Sequence, residues 1–316
     1  MARFVVRRIG SAILVMFATS VLTFLIFQAI PSGDPAFRLA GKYSTPAQVE
    51  SIRREWGFDK PIYVQYVKTM EKIFDGSVIS YTQQLNVDQT VIHDLPATLS
   101  VTIGGAVIWL LVSVLFGVLS AIRAGRYLDR VLTVLAFIGL SMPAFFLGDI
   151  ALYYLGYKAK IFPLGDYVPL TQNPGAWFSH LLLPWMTLAV LYIGIYSRIL
   201  RSSLLDTLGE DYVRTARAKG ISERRVLIRH ALRNSMIPLI SLWGLDFASL
   251  LGGGTILIEE VFNINGVGKY VGDSIGRLDV PPILVITVFA AFAVVALSAI
   301  VDILYAALDP RIRLSS

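Results

Sequence analysis

Residues 97–122 read ATLSVTIGGAVIWLLVSVLFGVLSAI, a stretch of 26 residues without one charged side chain. A bilayer core about 30 Å thick requires about 20 helical residues, so this stretch is long enough to cross it as an α-helix. Five more apolar stretches follow the same pattern. The sequence therefore predicts an all-α polytopic membrane protein, with one transmembrane domain over residues 1–316 and spans at about 9–30, 97–122, 131–156, 181–201, 237–258 and 283–305.

The composition supports a membrane protein. Of 316 residues, 55% are hydrophobic and only 16% are charged, whereas soluble domains have about 25% charged residues. The absence of cysteine excludes disulfides, thiolate metal ligands and cysteine nucleophiles. The first apolar stretch is longer than the roughly 7–15 residues of a signal-peptide core, so we predict a retained helix.

The distribution of basic residues predicts the orientation of the spans. With six spans, the side that holds both termini carries 17 Lys and Arg residues, and the opposite side carries 11. Cytoplasmic loops carry an excess of Lys and Arg. We therefore predict that both termini are cytoplasmic and that the long loop 31–96, called the insert below, is extracytoplasmic.

The insert contains signals for two short helices. Thr45 and Gln48 form a capping-box pattern, and Gly57 is placed to end the first helix. Residues 61–75 are apolar at intervals of four, which is typical of a second helix. We interpret the insert as a small helical cap that packs against the spans, with docking of a partner protein as the alternative.

Sites for ATP hydrolysis or metal binding are not indicated. The nearest match to a phosphate-binding P-loop contains Gly268 and Lys269, but it has Asn263 in place of the first glycine and Tyr270 in place of Ser or Thr. The chain is therefore not expected to be an ATPase. The three histidines, at positions 93, 180 and 230, lie far apart in the sequence, so their spacing indicates no metal site.

One carboxylate falls near the middle of a predicted span. Asp246 lies in the fifth span, between Trp243 and Ser249. Ionisable groups inside spans usually face a cavity or a partner, so we predict that these three residues line a translocation path, with a structural hydrogen bond as the alternative role for Asp246. The glycines at 252–254 allow close helix packing or local unwinding, and we favour packing.

A basic segment separates the fourth and fifth spans, within the predicted cytoplasmic loop 202–236. Residues 211–238 read DYVRTARAKGISERRVLIRHALRNSMIP and contain seven Lys or Arg residues, too many for a span. Gly220 divides two helical patterns and is placed for a positive φ angle, and Ser222 is placed to cap the second helix. A solvated loop and a nucleic-acid-binding helix-turn-helix are alternatives, but we favour a rigid element that docks on a soluble protein.

This segment resembles the cytoplasmic EAA-type loop of binding-protein-dependent ABC importer permeases, in particular the dipeptide/oligopeptide/nickel branch. The general pattern places an acidic residue where this chain has Arg214. The insert is similar to that of the first permease of the heterodimeric pair. Further motifs carry the resemblance along nearly the whole chain: Arg7-Arg8-Ile9, LPATL at 95–99, SMPAF at 141–145, HLLLP at 180–184, EVFNINGVG at 260–268 and DPRIR at 309–313.

The resemblance implies a type I importer in the bacterial inner membrane. Two homologous permeases, surrounded by membrane lipid, would enclose the path, two ABC ATPases would bind ATP and Mg²⁺, and an extracytoplasmic binding protein would deliver the substrate. No cofactor is expected in this chain, and no nucleic-acid partner. The residues implied to contact an ATPase are Tyr212, Arg214, Thr215, Ala216, Arg217, Ala218, Lys219, Gly220, Ile221 and Arg224, and those implied to face the binding protein are Glu260, Phe262, Asn263, Gly266 and Gly268.

The function implied is ATP-driven uptake of a small solute, most simply a short peptide. The same importer class carries nickel and other solutes, so the substrate stays open at this point. A different class, a secondary transporter with Asp246 as its ion site, is the main alternative. A membrane-anchored nucleic-acid binder is the third.

Overall fold

The computed structural model describes residues 2–29, 33–41, 44–80 and 82–308, so the motif at 309–313 lies outside the described residues. This part of the chain forms fourteen α-helices, and one isolated antiparallel bridge joins Ile79 to Asn86. The all-α prediction is confirmed. The contacts divide the chain into two compact units, Met1–Leu99 with Ala248–Ser316, and Ser100–Phe247.

Five helical segments in the described ranges are long and apolar enough to cross a membrane, and a bent pair of helices would make a sixth span. The pair, Tyr127–Ser141 and Ala144–Lys158, turns by 103° at Met142 and Pro143. The sequence predicted a continuous span at 131–156, but the proline ring cannot continue the helix and restricts the residue before it. The five segments are Val6–Phe27, Val87–Ile122, Pro174–Leu208, Glu223–Gly254 and Val280–Val301.

The first unit contains the described part of the insert and the helices that pack with it. Its elements are α1 (Ala2–Phe24), α2 (Pro35–Ala40), α3 (Pro46–Trp56), α4 (Ile62–Phe74), the start of α5 (Val87–Ile122), α12 (Ile256–Val261), α13 (Val267–Gly276) and α14 (Val280–Leu308). Trp56, Ile73 and Val285 belong to its buried apolar core. The insert is therefore packed into this unit.

Local signals in the insert have the predicted effects. The Thr45 side chain accepts a hydrogen bond from the backbone N–H of Gln48, and the Gln48 side chain accepts one from the backbone N–H of Thr45. Gly57 ends α3 in the left-handed region, at φ 69°. The second predicted helix is α4, which Asp75 caps at its end. Both short helices are confirmed.

The second unit contains the rest of α5, α6 (Tyr127–Ser141), α7 (Ala144–Ala151), α8 (Pro174–Leu208), α9 (Asp211–Ala218), α10 (Glu223–Arg225) and most of α11 (Arg233–Ser249). Glycine allows α6 and α8 to approach closely, since a Cβ atom on Gly194 would lie 2.5 Å from the carbonyl oxygen of Ala136. At its C-terminal end, α8 continues to Leu208, which is seven residues into the loop predicted at 202–236. The predicted fourth span and the start of the loop predicted to be cytoplasmic therefore share one helix.

The predicted fifth span, 237–258, is interrupted. After α11, residues Leu250–Gly254 form a π-helical segment in which Gly253 has a φ of 127°, a conformation that L-residues rarely adopt. A Cβ atom on Gly252 would lie 2.6 Å from Cγ2 of Val294 in α14. The glycines thus serve both of the uses considered from the sequence, with close packing at Gly252 and a break at Gly253.

Candidate functional site

The basic segment forms the predicted pair of helices. We call residues 211–232 the hairpin; it comprises α9, a turn, α10 and the π-helical segment Val226–Leu232. Gly220 in the turn has a φ of 76°, and its N–H donates to the carbonyl oxygen of Arg217 at 2.9 Å. No atom lies within 4 Å of a Cβ placed on Gly220. The backbone torsion, and not a lack of space, therefore favours glycine there.

Ser222 occupies the N-cap position of α10, as predicted, but no helix N–H donates to its side chain. Its carbonyl oxygen instead accepts hydrogen bonds from the N–H groups of Arg225 and Val226, both at 2.9 Å. The predicted capping by the Ser222 hydroxyl is therefore wrong, because the turn is closed by backbone hydrogen bonds.

Apolar contacts hold the hairpin against the end of α8. Val213, Ala216 and Val226 are buried together, and Leu208 of α8 packs against them. A second small cluster contains Ala121, Leu204 and Ala231. The hairpin is therefore packed against the end of α8, and its second half continues directly into α11.

Polar contacts close both ends of the hairpin. Arg217 donates through Nε and Nη2 to the two carboxylate oxygens of Glu223, at 2.9 and 3.3 Å. Tyr212 Oη accepts from Asn234 Nδ2 at 2.8 Å and donates to the carbonyl oxygen of His230 at 3.2 Å. An exposed ion pair contributes only about 0–1 kcal/mol to stability. The bidentate Arg217 contact therefore adds little to stability, and its role is to fix the geometry of the turn.

The hairpin presents a basic surface. Of the ten residues predicted to contact an ATPase, Ala216 is buried and Ile221 is half-buried, so these two support the hairpin from inside. The other eight are exposed: Tyr212, Arg214, Thr215, Arg217, Ala218, Lys219, Gly220 and Arg224. The exposed set contains four cationic side chains, which suit an acidic protein surface.

Asp246 of α11 accepts a hydrogen bond from Tyr196 Oη of α8 at 2.6 Å. Among the described residues, no Lys, Arg or His side chain forms an ion pair with it. Trp243, one turn earlier, donates from Nε1 to the carbonyl oxygen of Ala106 at 3.0 Å. Ser249 is exposed further along α11. The structure thus gives Asp246 the hydrogen bond that the sequence left as an alternative to a path role.

Tyr196, which donates to Asp246, belongs to a group of aromatic side chains in mutual contact. Trp109 stacks on Tyr192 with ring centroids 4.3 Å apart, and Trp243 stacks on Phe247 at 5.3 Å. Tyr196 joins both Trp109 and Tyr192 by edge contacts. We call these five residues the aromatic cluster. The cluster reaches Asp246 through the Tyr196 hydroxyl, and aromatic π faces attract cations.

The loop 260–268, called the outer loop, is held by a carboxylate that the sequence reasoning missed. Glu259 is 0% exposed. Its Oε1 accepts from the Thr255 hydroxyl and its Oε2 from the Lys269 N–H, both at 2.9 Å. The Thr98 hydroxyl and the Gly268 N–H also donate to it. Burial raises the pKa of Glu259, while the four donors favour the ionised form and oppose that rise.

The glycines of the outer loop leave room for this carboxylate. A Cβ on Gly266 would lie 2.4 Å from Glu259 Oε2, and a Cβ on Gly268 would lie 2.8 Å from it. Phe262 is also internal, at 1% exposed. Of the five residues predicted to face the binding protein, only Glu260 and Asn263 are exposed.

Comparison with known proteins identifies the family. A family model described as the binding-protein-dependent transport system inner membrane component matches residues 113–314. A second, for the N-terminal part of the membrane component of these systems, matches residues 1–102. The chain belongs to this family. The first match includes the hairpin, the outer loop and four of the five residues of the aromatic cluster, while Trp109 lies between the two matched ranges.

Full-length relatives of this inner membrane component include named peptide permeases. A probable peptide ABC transporter permease of Sinorhizobium fredii is 37% identical over 99% of this chain and 100% of its own length. The oligopeptide transport system permease of Bacillus subtilis is 36% identical, with 99% and 100% covered. The probable D,D-dipeptide transport system permease of Escherichia coli is 36% identical, with 97% and 96% covered.

Membership of this family makes the chain a membrane-spanning subunit of an ABC importer that depends on a binding protein. The family is a transport component and not an ATPase. The residues that sequence reasoning missed, Tyr192, Tyr196 and Glu259, gave no local signal. Tyrosine is common in apolar helices, and Glu259 looks like its neighbour Glu260. These residues can be recognised as parts of a site only when their distant partners are known.

Proposed function

We propose that this chain is one of two homologous permease subunits in an ATP-driven importer of short peptides. The names of the full-length relatives support a peptide substrate. Two ABC ATPases would supply ATP hydrolysis with Mg²⁺, and an extracytoplasmic binding protein would deliver the peptide. Both chain termini would lie in the cytoplasm, as the excess of basic residues on that side indicates.

The observation that carries this proposal is the hairpin. It is basic outside, it packs against the end of α8, and its second half runs without a break into α11. An ATPase that closes on ATP can shift the permease only if it contacts the two states differently, and a hairpin of fixed shape transmits such a difference. The eight exposed hairpin residues are the proposed contact surface.

Coupled transport is the direct test. The chain would be purified with its partner subunits, reconstituted into liposomes and supplied with the binding protein. We expect labelled di- or oligopeptide uptake that requires ATP and ceases when the ATPases are omitted. Uptake driven by a pH gradient in liposomes that contain this chain alone would overturn the proposal in favour of a secondary transporter.

The aromatic cluster and Asp246 form the proposed path site. Because no cationic side chain pairs with Asp246 in the described residues, its charge is available for the ammonium group of a passing peptide. On the exposed face of the same helix, Ser249 would extend the path.

We expect Asp246→Asn to slow uptake of peptides with a free amino terminus about tenfold, since a hydrogen bond to a charged group contributes about 1.5–3 kcal/mol. Uptake and ATP hydrolysis would be measured on the same liposomes. Ser241→Ala, a change elsewhere on α11 that removes only a hydroxyl bonded within the helix, is the control. Unchanged peptide uptake by Asp246→Asn would remove Asp246 from the path.

The outer loop is the proposed contact for the binding protein. Glu260 and Asn263, two of its exposed polar residues, are the proposed contacts, while Phe262, Gly266 and Gly268 set its shape from inside. Glu259 positions the loop and does not itself reach the surface.

A further inference from the structure

A groove of about 590 Å³ is bordered by α6 and α8, at the end of the predicted fourth span that faces the hairpin. Two guanidinium groups, two hydroxyls and two apolar side chains form its wall. They belong to Thr133, Ile195, Arg198, Ile199, Arg201 and Ser202. The transport mechanism proposed above uses none of these residues.

The charge in the groove is unbalanced. Arg201 donates from Nε and Nη2 to the two carboxylate oxygens of Asp129, each at 2.8 Å, and Asp129 is 5% exposed. The Arg201–Asp129 pair therefore carries no net charge. Arg198 is exposed and forms no ion pair with a carboxylate in the described part of the chain. Its guanidinium lies 4.4 Å from the centre of the Phe137 ring. The groove therefore has one available positive charge, held in place by an aromatic face.

The position of Arg198 suggests an amphipathic occupant. It is the first charged residue after the uncharged stretch 181–197, so it lies where the hydrocarbon of the bilayer gives way to headgroups. Beside Arg198, both helices expose an apolar side chain, namely Phe137, which contacts the guanidinium, and Ile195, which lines the groove. An occupant that satisfies both regions is anionic at one end and apolar at the other.

We propose that this groove binds an anionic phospholipid of the cytoplasmic leaflet, with its phosphate on Arg198. The planar guanidinium presents two parallel N–H donors that match a phosphate group. The Ser202 hydroxyl lines the groove as a further donor, whereas Thr133 already donates to the carbonyl oxygen of Asp129 at 2.8 Å. The acyl chains lie along the exposed apolar side chains. A free phosphate would use the same donors but would leave that apolar surface uncovered.

The test measures lipid retained by the assembled importer. The complex would be reconstituted in nanodiscs of phosphatidylcholine with increasing phosphatidylglycerol, and native mass spectrometry would count the bound anionic lipid. We expect Arg198→Ala to raise the phosphatidylglycerol fraction for half-occupancy about tenfold, the size of one lost charge-assisted hydrogen bond. Arg198→Lys keeps the charge but not the planar donor pair, and should give an intermediate shift.

Arg123→Ala is the matched control. Arg123 is exposed in the turn after α5 and does not line the groove, so its removal deletes the same charge on the same side. We expect less than about a twofold shift, since only general surface attraction is lost. Equal shifts for both arginines would show attraction without a site and overturn the proposal. Displacement of the lipid by inorganic phosphate at moderate concentration would also overturn it, because the groove would then be a small-anion site.

Discussion

Replacing Gly220 by proline is expected to reduce ATP-driven uptake to background while the partner ATPases still hydrolyse ATP. Proline fixes φ near −65°, whereas Gly220 has φ 76°. It also removes the N–H that bonds to the carbonyl oxygen of Arg217. The turn must therefore adopt another path, with a local cost of about 3 kcal/mol or more. Uptake and ATP hydrolysis would be measured on the same proteoliposomes. This comparison distinguishes loss of coupling from loss of ATPase activity.

Asparagine at position 220 is the matched control, because it adopts the left-handed region more readily than other non-glycine residues. No atom lies near the added Cβ, so Gly220→Asn should retain most of the uptake. Charge reversal at Arg217 tests the same turn differently, since Arg217→Glu would place two carboxylates together at Glu223. If Gly220→Pro assembles and transports normally, the hairpin is not the coupling element.

Glu259→Ala is expected to destabilise the outer loop strongly. Two backbone N–H groups and two hydroxyls would lose their common acceptor in a buried site. Each buried polar group left without a partner costs about 1–3 kcal/mol. Thermal unfolding of the purified complex should move to lower temperature. Stimulation of ATP hydrolysis by the binding protein should also be lost, with basal hydrolysis retained.

Glu260→Ala provides the control at the adjacent position. Glu260 is exposed, so its removal should change stability by less than about 0.5 kcal/mol. A modest loss of binding-protein affinity is expected if Glu260 contacts that protein directly. Equal thermal stability of the two variants would show that the buried carboxylate does not hold the loop.

Local features of this fold could be predicted because their causes are local. The capping box at Thr45, the helix end at Gly57 and the positive φ angle at Gly220 depend on a few neighbouring residues, and all three are confirmed. The bend after Ser141 was not predicted, although Pro143 supplied a signal for it. A proline in an apolar stretch is compatible with a kinked span, so the sequence does not determine the angle.

The candidate sites were less predictable because they depend on distant pairs. Asp246 was singled out in the sequence as a charge within a predicted span, but its hydrogen-bond donor, Tyr196, is 50 residues away in the sequence. Glu259 and Glu260 look alike in the sequence, and only the fold buries one and exposes the other. Burial and pairing arise from tertiary packing, which local patterns do not encode.

The length of α8 has a mechanical consequence. Between Trp185 and Leu208 the helix contains no proline, so this part behaves as a stiff rod from the aromatic cluster to the hairpin. At 1.5 Å per residue, Tyr196 lies about 18 Å from Leu208 along the helix axis. If α8 tilts by about 10° about its end at Leu208, Tyr196 moves by about 3 Å. Because α11 joins the hairpin through a π-helical segment, the two helices are not equally stiff. We therefore expect movement of the hairpin to change the length of the hydrogen bond between Tyr196 and Asp246.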